Sequence, residues 1–197
     1  MRAVFMLSFI LCSLAAFSVQ AADEPNTNSA PAAMKIGSDN PYLKSVESKA
    51  RELSGLLSED EVAAFVTIRD NFGMIRAVRI AGQDVTRAVK ACGKDQPDLK
   101  QKMDDRLALW TKTLEPVLKD QASRMDKAVK QNFRESGEVD AYLSLIDAAA
   151  HYADDQIDKT PVTTSAACEG LLTSMDRSQD QIEALLKALS WPGEKDS

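Results

Sequence analysis

Apolar residues recur three and four positions apart along most of this chain, a spacing that places them on one face of a helix. The pattern starts at about Asn40 and continues to Leu189. Alternating runs of β-branched residues, which are typical of strands, are absent from it, and glycine and proline lie mostly at segment ends. The sequence therefore predicts an all-α protein.

A short first helix is predicted to begin at Asn40-Pro41. Asparagine is a preferred N-cap residue, and proline suits the first helical position because its missing N–H would have no partner there anyway. One apolar stripe follows at helical spacing, formed by Leu43, Val46, Ala50 and Leu53. This stripe gives the short helix a face to bury.

A long second helix is predicted to begin after Ser58. Ser58 can cap it while the side chain of Glu61 reaches back to the backbone of Ser58, which is the capping-box arrangement. Its end is predicted at Cys92-Gly93, because glycine readily adopts the left-handed conformation that follows many helix ends.

The apolar face of this long helix changes direction near Asn71-Phe72-Gly73. At about 100° per residue, the first apolar group lies nearly opposite the second. Either the helix kinks there, or its first half packs against the short helix while its second half enters the main bundle. We prefer the second interpretation. The first group is Val62, Phe65, Val66 and Phe72, and the second is Met74, Val78, Ala81, Val85, Val89 and Cys92.

Three more helices are predicted beyond Pro97. The first runs to Glu135, is kinked near Lys112 by Pro116 and ends at Gly137. The next runs from Val139 to Ile157 and is terminated by Pro161, and the last runs from Cys168 to Leu189 and stops at Trp191-Pro192-Gly193. Short connections between long amphipathic helices favour an up-down-up-down four-helix bundle with a short additional N-terminal helix, formed as a single domain by residues 40–197. The seam of the first of these helices is Leu99, Met103, Leu107, Trp110, Leu114, Val117, Gln121, Met125, Ala128 and Asn132.

The first 21 residues resemble a cleaved signal peptide. Arg2 is followed by an apolar run too short to span a bilayer, and Val19 and Ala21 suit the −3 and −1 positions of a signal-peptidase site. Residues 22–39 are rich in Pro, Ala, Asn and Ser and are predicted to be a disordered leader. We therefore expect an exported protein without a membrane span after signal removal, located in the periplasm or else secreted.

Only Cys92 and Cys168 would remain after signal removal. In the predicted topology the second helix ends, and the last helix starts, at the same end of the bundle. Both cysteines lie on apolar faces, and an exported protein meets an oxidising environment. We predict a disulfide between them, rather than two buried thiols or a catalytic redox pair.

The remaining chemistry argues against several classes of function. A formal net charge of −6 disfavours nucleic acid as a partner, and no haem-attachment, di-iron, P-loop or serine-hydrolase motif occurs. Non-covalent haem would lack its second ligand, since His151 lies off the core faces that carry the methionines. We expect no cofactor and no enzymatic activity.

Two groups of polar residues are candidates for binding. Asp147, His151 and Asp155 stand one helical turn apart and form either a weak divalent-metal patch or a solvated acidic face. Opposite the core face of the long helix lies a basic stripe, which either docks an anionic protein or polymer or is simply solvated. Its members are Arg76, Arg79, Arg87 and Lys90.

These observations favour an exported, non-catalytic binding or interaction protein of the cell envelope. The alternative is a helical bundle that carries a metal or a cofactor. The preference rests on the absence of catalytic motifs and on the helical fold class, which alone does not specify a function.

Overall fold

Five α-helices joined by short connections make up most of the computed structural model, which describes residues 39–194. They are α1 (Leu43–Leu56), α2 (Glu59–Asp95), α3 (Lys100–Asn132), α4 (Ser136–Asp155) and α5 (Ser165–Lys187), with a 3₁₀ turn at Pro97–Leu99. Residues 39–194 contain no strand, so the predicted all-α class is confirmed for them. The predicted signal peptide and, except for Asp39, the predicted leader lie outside the described residues.

Helix α1 begins two residues later than predicted. Tyr42 occupies the N-cap position, while the side chain of Asn40 accepts a hydrogen bond of 3.0 Å from the backbone N–H of Tyr42. The Asn40 amide also donates to the carbonyl of Ala149 in α4, at 2.6 Å. Asn40 therefore fastens the start of α1 to α4 instead of capping α1.

The predicted capping box at the start of α2 is confirmed. Ser58 Oγ accepts from the backbone N–H of Glu61, and the Glu61 carboxylate accepts from the backbone N–H of Ser58. The predicted end was wrong, because Gly93 is helical and α2 continues to Asp95. A Cβ on Gly93 would lie 3.3 Å from Cγ of Lys100, so this buried glycine permits a close approach to the start of α3.

Helix α2 is one continuous helix through Gly73. Its first half buries the predicted stripe only in part: Phe65 and Phe72 pack against the core, whereas Val62 and Val66 are 42% and 40% exposed, because α1 packs mainly against α4. The buried stripe consists of Ala64, Ile68, Asn71 and Ile75. The preferred interpretation, in which the short helix covers the first half of α2, was therefore wrong.

Helix α3 runs without interruption through Pro116 and ends at Asn132, before the predicted Glu135. Phe133 takes an extended conformation and is buried, so its side chain fills the core where the helix stops. Gly137 lies in the first turn of α4 and does not terminate α3. The apolar seam of α3 was predicted well, since Met103, Trp110, Leu114, Gln121 and Ala128 are all buried.

Helices α4 and α5 each begin three residues earlier and end two residues earlier than predicted. Helix α4 ends at Asp155, and the side chain of Lys159 binds Asp154 and, across on α2, Asp84. Helix α5 starts after Thr164, whose hydroxyl caps it, and Gln96 holds the neighbouring Thr163 carbonyl at 2.8 Å. Helix α4 thus ends six residues before Pro161, and Ile157, predicted to be its last apolar residue, is 41% exposed.

Helices α2 and α3 form the centre of the domain. Helix α5 packs against both of them, and α4 packs against both of them and against α1. The larger hydrophobic cluster contains residues of α1, of the first half of α2 and of α4. Residues of the second half of α3 and of the end of α5 complete it, and Ile68, Leu118 and Tyr142 are among its members. The smaller cluster joins α2, α3 and α5 around Cys92, Met103 and Met175. Within residues 39–194 no helix is long and apolar enough to cross a membrane.

The predicted disulfide is present. It links Cys92 near the end of α2 to Cys168 in the first turn of α5, which are 76 positions apart in sequence and have their Cα atoms 5.8 Å apart. Both cysteines are buried in the smaller cluster. The disulfide thus joins the two helices on either side of the α3–α4 segment.

Candidate functional site

The predicted basic stripe is divided by the fold. Arg76 lies between α2 and α4, where its Nε donates a hydrogen bond of 2.8 Å to Oδ1 of Asp147. Arg87 lies 3.5 Å from Asp84 on its own helix. Arg79 and Lys90 are exposed and form no ion pair with any residue of the range 39–194. Three members of the stripe therefore stay at the surface, and one is used in holding two helices together.

The predicted metal residues are only partly brought together. His151 Nε2 lies 3.5 Å from Oδ2 of Asp147, while Asp155 is exposed and contacts neither of them closely enough to form an ion pair or hydrogen bond. Asp147 is at the same time the acceptor for Arg76. Among residues 39–194, no group of three or more histidine, cysteine or acidic side chains is arranged to hold a metal ion.

A cavity of about 400 Å³ between α2, α3 and α4 combines the two predicted groups. Arg76 and Arg79 enter it from α2, and Asp147 and His151 enter it from α4. Phe72, Ile80, Met125 and Leu143 provide its apolar lining. We call this cavity the lower groove. The sequence placed its charged residues on two separate helices, and only the packing of α4 on α2 brings them together.

A second cavity of about 380 Å³ lies between α2 and α3 alone, and we call it the upper groove. Trp110, Leu114 and Leu118 line it from α3, and Gly82 and Thr86 line it from α2. Arg79 and Gln83 line both cavities. The two grooves therefore adjoin each other at these two side chains. A ligand in either groove would lie next to the cationic side chain of Arg79.

The guanidinium of Arg76 is incompletely paired. Its side chain is only 15% exposed, and its Nη2 atom is buried without a hydrogen-bond partner among residues 39–194. Leaving a buried charged donor unpaired carries a desolvation cost, which a suitably placed acceptor would remove. Because Nη2 of Arg76 is buried, the donors that a ligand in the lower groove can reach directly are those of the exposed Arg79.

The acidic residues of the lower groove are less available to oppose a bound anion than their number implies. Asp147 is occupied by Arg76 and lies close to His151. Burial, and then the nearby Asp126 carboxylate, raise the pKa of Asp140 above its ordinary value. Of the two carboxylates in the lining of the lower groove, Asp147 is therefore already paired with an arginine.

A third cavity, of about 970 Å³, lies where the first turns of α2, the last turns of α3 and the residues after α5 meet, and no sequence pattern indicated it. It is bordered by residues 188–194, which we call the C-terminal strap. Asn71 holds the Ser190 carbonyl at 2.7 Å, Asn132 holds the Pro192 carbonyl at 2.9 Å, and Arg124 binds the Glu194 carboxylate through two nitrogens. That hydrogen-bonded pair lowers the pKa of Glu194 and raises that of Arg124. The polar groups here serve mainly to hold the strap.

Comparison with known proteins adds no relative to this geometry. No protein-family model, curated protein or solved structure matches the chain.

Proposed function

We propose that this protein is an exported, non-catalytic binding protein of the cell envelope, located in the periplasm or secreted, which recognises a negatively charged ligand or partner at Arg79. The buried Cys92–Cys168 disulfide supports export, because disulfides persist in oxidising compartments. The observation that carries the proposal is the position of Arg79, an arginine without an ion-pair partner in residues 39–194 that lines two adjoining cavities.

We further propose the up-down-up-down four-helix arrangement for α2–α5, with α1 as the additional helix. Contacts between α2 and α4 support parallel directions, because Arg76 meets Asp147 and Asp84 meets Lys159, which follows α4. Contacts between α3 and α5 do the same, since Arg106 meets Asp176 while Arg124, further along α3, meets the carbonyl of Leu189. The grooves then lie along the side of a bundle.

The groove chemistry favours binding over catalysis. A nucleophile has to lie within hydrogen-bond reach of its base. In the lower groove the hydroxyl of Ser144 donates to the carbonyl of Asp140, at 2.8 Å, and His151 is directed to Asp147. Unpaired arginine donors are instead suited to binding carboxylate or phosphate groups, which they can contact through two hydrogen bonds.

The test is a capture experiment on an extract of the native envelope, using immobilised wild-type protein, Arg79→Glu and a control, Arg177→Glu. Arg177 is an exposed arginine on α5, away from both grooves. We expect an anionic species that is captured by the wild type and the control, lost with Arg79→Glu and weakened by salt, because exposed charges are screened within about 8 Å at physiological ionic strength.

Two results would contradict the proposal. One is the absence of any species, protein, polymer or small molecule, whose capture depends on Arg79. The other is chemical conversion of the captured species by the protein, which would indicate an enzyme. Circular dichroism of the three proteins establishes that each remains helical.

A further inference from the structure

The upper groove is an opening in the side of a hydrophobic cluster. Trp110 and Leu114 belong to the smaller cluster, and Leu118 belongs to the larger one. On the opposite wall stands Gly82, and a Cβ built on it meets no atom within 4 Å. An apolar cavity thus adjoins a helix position at which a side chain is missing.

The combined properties of the two grooves are those of a small-molecule site. Such sites typically have volumes of about 300–1,000 Å³, a largely apolar lining and a few polar groups that fix the orientation of the ligand. The upper groove supplies the apolar wall, and Arg79 and Gln83 stand where it meets the lower groove. Thr86 and Thr111 belong to the same lining, and the Thr86 hydroxyl donates to the carbonyl of Gly82 at 2.8 Å.

The charged side chains at the junction of the two grooves favour a ligand of negative charge. Arg79 has no ion pair in residues 39–194, and Arg76 has a buried Nη2 atom without a partner. The opposing charges are Glu115 at the upper groove and Asp140 and Asp147 at the lower groove, of which Asp147 is already bound to Arg76. An anionic head group would provide the acceptor that Arg79 lacks, next to the positive charge of Arg76.

Building on the proposed function, we infer that the ligand is a small amphipathic organic anion. Its carboxylate, sulfonate or phosphate head lies against Arg79 on the side of Arg76, and its apolar body lies in the upper groove between Gly82 and Trp110. A cation with the same apolar body would place its charge against the arginines and is excluded on that ground.

Octanoate is a suitable probe, because the two tryptophans report on different parts of the domain. Trp110 lines the upper groove, whereas the indole N–H of Trp191 donates to Gln121 at 2.8 Å in a buried site at the strap. In a two-dimensional ¹H–¹⁵N NMR titration, we expect the Trp110 indole signal to shift and saturate while the Trp191 signal stays in place. Trp110→Phe assigns the two signals.

Two pairs of variants make the test specific. Arg79→Gln should weaken octanoate binding about tenfold or more, as expected for a lost charge-assisted hydrogen bond, whereas Arg177→Gln should not. Gly82→Leu should abolish binding by filling the groove. Its control is Gly170→Leu, at a helical glycine of α5 whose added Cβ also meets no atom within 4 Å. For the Gly82→Leu and Gly170→Leu variants, the backbone amide signals are recorded as well, so that a loss of folded structure is detected.

The inference is overturned if octanoate produces no saturable shift, if Gly82→Leu binds as the wild type does, or if octylammonium binds as well as octanoate. These outcomes are distinct from a failure of the proposed function. Arg79-dependent capture of an anionic species from the envelope, together with no octanoate binding, would retain an anion-binding protein and discard the amphipathic ligand.

Discussion

Removal of the disulfide should lower stability by an amount that its position in the chain determines. In the double variant Cys92→Ala/Cys168→Ala, the unfolded chain is no longer closed into a loop. For cysteines 76 residues apart, the chain-entropy relation gives a loss of about 4 to 5 kcal/mol at 25 °C. That is a large part of the about 5–15 kcal/mol by which an ordinary domain is stable.

The expected change in melting temperature follows from this loss. Unfolding entropies of about 2.1 cal/mol/K per residue give roughly 0.3 kcal/mol/K for a domain of about 150 residues. The double variant should therefore melt about 12–16 °C below the oxidised wild type, as followed by far-ultraviolet circular dichroism. In urea its dependence on denaturant should be steeper, because an unfolded chain without the cross-link exposes more surface.

Reduction of the wild type separates the cross-link from the packing of the two buried side chains. Reduced wild type and the double variant should melt at similar temperatures, apart from a smaller loss for the two missing sulfur atoms. If both melt within about 3 °C of the oxidised protein, the entropic reasoning is refuted for this chain, because the loop would not constrain the unfolded state.

Two further predictions concern the core and the strap. Leu114→Asp should unfold the domain or lower its free energy of unfolding by more than about 3 kcal/mol, because it buries an unpaired charge. Leu109→Asp on the same helix, at a position 52% exposed, should melt like the wild type. Similar melting temperatures for the two variants would show that the buried face of α3 is misassigned. Because Arg124 lowers the pKa of Glu194 from its usual 4.5, the contribution of this pair should be present above pH 4.5 and be lost as the pH falls through the folded-state pKa. The Glu194→Gln variant should therefore be less stable than the wild type at neutral pH, and its free energy of unfolding should depend less on pH in the acid range. An unchanged pH dependence would mean that the Arg124–Glu194 pair is solvated.

The features that sequence predicted well depend on residues close together in the chain or on a shared apolar face. The capping box needs only Ser58 and Glu61, three residues apart. The disulfide was the one pairing open to the cysteines left after removal of the predicted signal peptide, and both lie on apolar faces. Burial of Met103 and Gln121 follows from the three-and-four spacing along α3.

Helix ends were predicted poorly because tertiary contacts decide them. Gly93 has the local signature of a helix terminator, but its missing side chain is used to let Lys100 approach. Asn40 has the signature of an N-cap, but its amide is bound to α4. At Phe133 the gain from burying a large side chain ends α3 before Gly137 is reached. None of these contacts lies between near neighbours in a helix.

The site could be predicted only as separate fragments. Arg76 and Arg79 were identified on one helix, and Asp147 and His151 on another, each by the helical spacing of their charges. The ion pair between Arg76 and Asp147 joins residues 71 positions apart, and no local pattern signals it. Likewise, the sequence does not indicate that Gly82 lines a cavity, because the cavity depends on Trp110 of α3 facing Gly82 in the folded domain.

The C-terminal strap makes a segment outside the helices part of the core. Leu189 and Trp191 are both buried in the larger cluster, and Gln121, itself almost fully buried, accepts the hydrogen bond of the Trp191 indole. A chain cut after Lys187 would keep all five described helices. It would nevertheless lose two apolar side chains of the cluster and leave the side-chain carbonyl of Gln121 without its partner. A proteolytic cut between α5 and the strap is therefore expected to open the core, although it removes no helix.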